Sequence, residues 1–205
     1  MEIKQALDEL RKLEKKKFDQ SVDLIINLKG IDIKRDNVST VVKMPNKIKE
    51  KKICAFLNAP SNLVKTITKL DFSKYKEKKD FRKLIKEYDV FIASATLMPA
   101  VATAFGKVLG PSGKMPSPQL GVIAQENEAA IKDALDRVTK SVRVKMKEAS
   151  IKIIVGKESM KDQEIIDNIK VAYAGIVEAL PTKRENVKSV MIKFTMTKPI
   201  KVEVK

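Results

Sequence analysis

Gly110, Gly113 and Lys114, within GPSGKMPSPQLG at residues 110–121, come nearest in this chain to a phosphate cradle. Backbone N–H groups between close glycines can surround a phosphate, and a following lysine can reach its outer oxygens. The spacing fails that chemistry at two positions. A P-loop needs Gly where Val108 stands, and Ser or Thr where Met115 stands. Pro111, Pro116 and Pro118 fix their own φ, so the alternative reading is a stiff surface loop. A dinucleotide fingerprint is also missing, because the strand-like Ile53 to Leu57 is followed by NAPSNL rather than GxGxxG.

Two further clusters carry residue types suited to nucleic acid. Lys15, Lys16 and Lys17 precede Phe18, then Asp19, Gln20 and Ser21 lead into an apolar strand pattern; Thr195, Met196, Thr197 and Lys198 precede Pro199. Lysines pair with phosphate, while an aromatic ring and small polar groups suit bases, sugars and their edges. The alternatives are a solvated helix end with Phe18 turned into the core, and a plain hairpin connection. The carboxylate pairs Glu126 with Glu128 and Asp133 with Asp136 sit among lysines on a helical pattern and read as a solvated face.

Composition narrows the classes. The 205 residues carry 42 Lys and Arg against 26 Asp and Glu, a formal charge of +16, so the surface attracts polyanions and nucleic acid leads as partner. With 43% hydrophobic residues the chain can build a core. It has no His, which removes the commonest general acid and base, and Cys54 is its one cysteine. Neither an internal disulfide nor a Cys/His metal site can form; carboxylate sites for magnesium remain open. No apolar run approaches a membrane span, and the charged N-terminus is unlike a signal peptide, so a cytoplasmic protein is expected.

The elements that must position these residues fall into two styles. Ile3, Ala6, Leu7, Leu10 and Leu13 predict an amphipathic helix with Arg11, Lys12, Lys15 and Lys16 on its polar face. Val22, Leu24, Ile26 and Leu28 alternate with Asp23, Ile25 and Asn27 as one strand, and residues 39–43 form a second, expected antiparallel to it across a polar connection containing Asp32, Lys34, Arg35, Asp36 and Asn37. Residues 44–52, polar and aperiodic, read as a linker.

From residue 53 strands and helices alternate: strand 53–57, helix 61–70, helix 81–87, strand 90–93, an apolar helix from Pro99 to Phe105, the glycine-proline loop, and helix 126–140. That order predicts a Rossmann-like parallel sheet. After Ser141 the pattern returns to strands. Val142, Val144 and Met146 alternate with Arg143, Lys145 and Lys147, and Ile151, Ile153 and Val155 follow, suggesting a hairpin turned at Glu148 and Ala149. A long apolar stripe from Ile165 to Leu180 is stopped by Pro181, and strands at 189–195 and 200–204 end the pattern.

Neither terminal part is large enough alone, so the economical fold class is α/β in two domains. Residues 1–50 and 141–205 form a discontinuous α+β domain with an antiparallel sheet, and residues 51–140 an inserted Rossmann-like α/β domain. Two chain crossings then make a hinge; three domains in series is the alternative.

DVFIASATLMPAVATAFGKVLGPSGKMPSP, from Asp89 to Pro118, resembles the signature of the large-subunit ribosomal stalk protein "L one" family, in its archaeal form. KKFDQSVDLIINLKGID at 16–32, VGKESM at 155–160, DNIKVAYAGIV at 167–177 and KSVMIKFTMTKP at 188–199 agree, in order. The resemblance implies a hinged two-domain protein without enzyme activity or cofactor. It further implies binding to large-subunit ribosomal RNA at the mobile stalk, assistance to the release of deacylated tRNA from the exit site, and repression of its own messenger RNA. The protein is then a monomer when free, in the cytoplasm or on the large subunit, without membrane contact.

Carried onto matching positions, the resemblance selects Lys17, Phe18, Ser21, Asp23, Lys152, Ser189, Thr195, Met196 and Thr197 as RNA-binding, with Lys114 as a second-domain contact. Two positions depart from the family pattern: Thr197 stands where Gly is usual, and Ser112 where Arg is usual. The rival functions are a nucleotide-dependent α/β enzyme and a free-standing RNA-binding repressor.

Overall fold

The computed structural model describes residues 1–13, 16–32, 38–75, 78–146 and 148–204, with the backbone alone at 73, 74 and 78. Lys15, the connection residues Lys34, Arg35, Asp36 and Asn37, and Lys147 lie outside the described residues. In chain order the elements are α1 (Ile3–Lys12), β1 (Ser21–Leu28), β2 (Ser39–Lys43), β3 (Ile53–Phe56), β4 (Lys65–Ile67), α2 (Lys78–Glu87), β5 (Val90–Ser94), α3 (Met98–Ser112), β6 (Val122–Ile123), α4 (Glu128–Lys140), β7 (Ser141–Lys145), β8 (Ser150–Lys157), α5 (Asp162–Ala179), β9 (Val187–Phe194) and β10 (Ile200–Val202). Short 3-10 turns occupy Lys69–Lys74 and Lys183–Asn186. The chain separates into two compact units, residues 1–49 with 140–205, and residues 50–139.

In the first unit the antiparallel sheet runs β10-β9-β1-β8. Period-two alternation puts Val22, Leu24, Ile26 and Leu28 of β1 on a buried face and leaves Ser21, Asp23, Ile25 and Asn27 partly exposed on the other. The buried face packs with Ile3, Ala6, Leu7 and Leu10 of α1 and with Ile165, Ile169, Ala172 and Ile176 of α5. The helices thus cover one face of the sheet.

Strand pairing corrects two expectations. β1 does not pair with β2, and β7 and β8 do not form a hairpin; β2 pairs with β7, and β1 with β8 and β9, all antiparallel. The main ladders are matched in length, β1, β8 and β9 having 8 residues each and β2 and β7 having 5 each. Matched lengths satisfy the most backbone donors and acceptors. The expected linker also begins inside this unit: Met44 is 1% exposed and its N–H donates to the Lys140 carbonyl at 2.8 Å. Asn168, fully buried, accepts from the Asn46 N–H at 3.0 Å and donates to the carbonyls of Asn46 and Val155.

The second unit is a three-layer α/β fold with parallel strands in the order β4-β3-β5-β6. Cys54 and Phe56 face α2 and α3, while Ala55 and Leu57 face Ile131, Ala134 and Val138 of α4. Burial on both faces is why these strands read as unbroken apolar runs. Phe105 lies at the centre of an aromatic cluster with Phe56, Phe72, Tyr75 and Phe81.

Three expectations fail in this unit. The predicted helix 61–70 is instead β4 followed by a 3-10 turn, because Thr68 and Asp71 close a reciprocal cap that stops the strand and starts the turn. β6, only two residues long, was not anticipated. Helix α3 runs on through Gly110 and Pro111 to Ser112, since its buried stripe Val101, Phe105 and Leu109 continues at helical spacing. Gly113 ends it at φ 70°, and at Gly121 a Cβ would lie 2.9 Å from the Phe91 carbonyl. These two glycines shape the loop.

Candidate nucleic-acid interface

Three connections of the first unit meet at one corner of its sheet: residues 17–20 entering β1, residues 158–160 leaving β8, and residues 195–198 joining β9 to β10. Gln20 holds them together. Its side chain, 2% exposed, accepts from the Met196 N–H at 3.2 Å and donates to Glu158 Oε2 at 3.2 Å, while its carbonyl accepts from the Glu158 N–H at 2.8 Å. Thr195 is stitched to β1 from both sides: its N–H donates to the Ser21 carbonyl, and its hydroxyl oxygen accepts from the Ser21 N–H, each at 3.1 Å. Thr197 Oγ1 accepts from the Phe194 N–H at 2.9 Å and closes the turn on itself.

Thr197 has no positive φ; apart from glycines, Lys183 alone has one among the described residues. A β-branched residue therefore fits there without strain, and its hydroxyl supplies a turn bond that Gly lacks.

On the same corner Asp19 accepts from the Ser159 N–H and hydroxyl, both at 3.0 Å, and pairs with Lys157 at 3.2 Å. Desolvation pushes its pKa upward, but the bonds from Lys157 and Ser159 and the lysine's charge outweigh it and hold the carboxyl below its ordinary value. Arg11 braces the outgoing chain by pairing with Asp162 at 2.6 Å and donating to the Met160 carbonyl at 2.9 Å. Two apolar side chains project from this fixed backbone: Phe18 is 52% and Met196 65% exposed. Lys17 is exposed beside them. A ring and a thioether held clear of the core on a pinned backbone can stack on or pack against bases.

Beyond the corner the uncovered sheet face continues in rows across the strands. Asp23 stands between Ile154 and Lys193, Ile25 between Lys152 and Met191, with Lys201 beyond, and Asn27 between Ser150 and Ser189. Asn27 Nδ2 donates to Ser189 Oγ at 3.0 Å. Lys152 pairs with Glu148 at 3.4 Å, both well exposed. Burial raises the pKa of Asp23 against the attraction of Lys193. The face has an apolar centre, Ile25, Ile154 and Met191, edged by lysines with one carboxylate among them.

The structure thus gathers Lys17, Phe18, Ser21, Thr195, Met196 and Thr197 at one corner and places Asp23 in the next row. Ser189 and Lys152 lie further along the same face, Ser189 roughly 20 Å from the corner at strand rise. Lys114 has other duties. Its ammonium donates to the carbonyls of Ile85 and Tyr88 at 2.6 and 2.7 Å, where the last carbonyls of α2 need donors. Ser112 Oγ donates to the Leu109 carbonyl at the end of α3. Gln20, Glu158, Ser159, Lys157, Lys193 and Lys201 also build the corner and face, though the resemblance selects none of them as RNA-binding. The alternation that identified Asp23 marks Ile25 and Asn27 equally, whereas nothing local marks Gln20.

Among the described residues no cluster of Cys, Asp and Glu is arranged to hold a metal ion, and no helix is long and apolar enough to cross a membrane. The family model described as "Ribosomal protein L1p/L10e family" matches residues 10–198. The chain is 34% identical to the Large ribosomal subunit protein uL1 of Pyrobaculum islandicum over 210 residues, covering 97% of this chain and 90% of that one. The proteins of the same name from Methanothermococcus thermolithotrophicus and Methanocaldococcus jannaschii are 34% and 32% identical over 213 residues, covering 98% and 97% of this chain and 97% and 94% of theirs. All three carry the name of a ribosomal component rather than an enzyme. Because the match runs through both compact units and takes in the pinned corner, the chain belongs to the Ribosomal protein L1p/L10e family.

Proposed function

We propose that this protein is a structural component of the large ribosomal subunit that binds its RNA at the mobile stalk through the pinned corner and open sheet face of the first unit. The lysines supply salt-dependent affinity, and Phe18 and Met196 with the small polar groups supply shape and specificity. Lys17 pairs with phosphate; Ser21, Asp23 and Ser189 meet 2′-hydroxyls and base donors; Lys152 extends the phosphate track along β8. The carboxylate of Asp23 repels phosphate and so favours sugar or base donors in its row. The two compact units act as separate domains, and the second is a stiff scaffold.

On the ribosome the protein assists release of deacylated tRNA from the exit site, and off it the same surface represses its own messenger RNA. It works without cofactor, as a monomer when free, in the cytoplasm.

The observation that carries this reading is the exposure of Phe18 and Met196 above a corner in which the N–H groups of Ser21, Thr195, Met196 and Thr197 are already bonded within the protein. Its test is filter binding of stalk RNA and a scrambled control across several salt concentrations. Met196→Ala is expected to weaken stalk RNA about tenfold, in line with loss of one base contact, and to leave the scrambled RNA unchanged; equal losses on both overturn the assignment. Co-sedimentation with large subunits through a moderate salt wash separates a ribosomal component from a free-standing repressor. In a translation reaction the protein lowers synthesis from its own messenger and spares an unrelated one.

A further inference from the structure

The outward side of α5 carries a second feature that the corner does not explain. Lys170, Tyr173, Ala174, Val177 and Glu178 recur at helical spacing and, with Lys183, Arg184 and Val204, line a groove of about 350 Å³. Its floor is apolar, with Tyr173 and Val204 packed onto the core of the first unit and Val177, 9% exposed, beside them. Three cations and one carboxylate stand around it, and among the described residues none of the three cations is in an ion pair.

Lys183 is held at φ 51°. A left-handed conformation is unfavourable for a non-glycine residue and persists only where neighbours enforce it. Here Asn186, 4% exposed, enforces it: Asn186 Oδ1 accepts from the N–H and hydroxyl of Thr182 at 2.8 and 2.6 Å, and Asn186 Nδ2 donates to the Lys29 carbonyl at 3.2 Å. The Lys183 N–H donates to the Leu180 carbonyl, completing the turn. Glycine is the residue such a turn favours, so a lysine there points to a use for its side chain.

We infer that this groove binds one unstacked nucleotide of an RNA strand, the base lying on Tyr173 and Val177 and the phosphate meeting Lys170, Lys183 and Arg184. The volume suits a single nucleotide, near the lower end of the range for small-ligand sites. Cations above an aromatic floor are the features that hold single-stranded nucleic acid. Glu178 disfavours a second phosphate and can accept from a ribose hydroxyl or a base amino group. The site stands apart from the corner, on the helical side of the sheet, and does not depend on the corner binding RNA.

The test is amide NMR titration of the full chain with adenosine 5′-monophosphate, adenosine, inorganic phosphate and decaglutamate, followed by binding of a short oligoadenylate. The monophosphate is expected to shift Tyr173, Ala174, Lys183 and Arg184, at least threefold more tightly than adenosine or phosphate alone. Lys170→Gln with Arg184→Gln is expected to weaken oligoadenylate about tenfold. Lys183→Gly is the discriminating variant: it should raise the melting temperature by relieving the strained φ, yet weaken binding at least threefold. A stabilised Lys183→Gly protein with unchanged binding overturns the inference, as do equal shifts with decaglutamate, which would mark an acidic-peptide site. Met196→Ala should leave these shifts intact, so failure here and failure of the corner assignment read out separately.

Discussion

The two units use the same residue types in opposite ways. The second gathers Phe56, Phe72, Phe81, Phe91, Phe105, Tyr75 and Tyr88 inside or at the edge of its core, and turns Lys51 and Lys114 onto the terminal carbonyls of α4 and α2. The first builds an almost wholly aliphatic core, leaves Phe18 and Met196 outside, and buries the polar side chains of Gln20, Asn168 and Asn186. Each of these three ties loops or strand ends by bonding to backbone. One unit uses rings and lysines within its own packing and at its helix ends; the other uses buried amides to fix its loops and leaves Phe18 and Met196 exposed. A buried amide fixes position better than an apolar group does, because its bonds are directional.

The widest test of that contrast is Phe105→Ala. It should cost about 4 kcal/mol, the usual loss for a fully buried ring, measured by urea unfolding, while binding of stalk RNA to the folded protein stays within twofold. A large loss of RNA affinity would break the comparison. Next is Gln20→Ala, expected to cost about 2 kcal/mol because it strands the Met196 N–H, and to weaken stalk RNA about tenfold because the corner loosens. Lys114→Met should cost about 1 kcal/mol through the lost helix-end bonds and leave the salt slope of RNA binding unchanged; a shallower slope would show that this lysine also meets phosphate.

Met196→Ala should alter stability by less than about 0.5 kcal/mol, as for an exposed side chain, so its RNA effect reads out contact alone. The smallest effect belongs to Asp19→Asn. The folded-state pKa of Asp19 lies below the ordinary 3.8, so its contribution is present above that value and fades as pH falls through the depressed one. The melting-temperature gap between the wild-type protein and Asp19→Asn should therefore be constant from about pH 5 to 8 and close in more acid solution. A gap that persists in acid would mean that the carboxylate is not what holds Ser159.

What was legible in the chain follows the range of the forces involved. The stripes of α1 and α5, the alternation of β1 and the buried runs of β3 and β5 are local and could be read directly. Pairing was not, because β2 pairs with β7, a strand about a hundred residues away in sequence, and no local pattern records a contact at that range. β4 was hidden because residues 61–70 carry no strand alternation longer than three residues. At Gly110 and Pro111 a loop-forming signal met a buried stripe, and burial of Leu109 won. At the corner, Phe18 and Met196 stand out by residue type, whereas Gln20 is ordinary in sequence and gains its role only when three connections converge.

The ladder between β1 and β8 slips between Val22 and Asp23, so that Val155 has no counterpart on β1 and Gly156 stands opposite Val22. Side chains on a strand alternate like letters read two at a time, and the extra residue shifts the frame. Without that shift the unaltered β8 sequence would turn Lys157 toward α5 and carry it away from Asp19. Deleting Val155 restores matched frames and keeps Lys157 where it is, whereas inserting a residue nearby misreads everything from there to Ser159. The corner is thus addressed by counting along β8, and one supernumerary valine keeps the count.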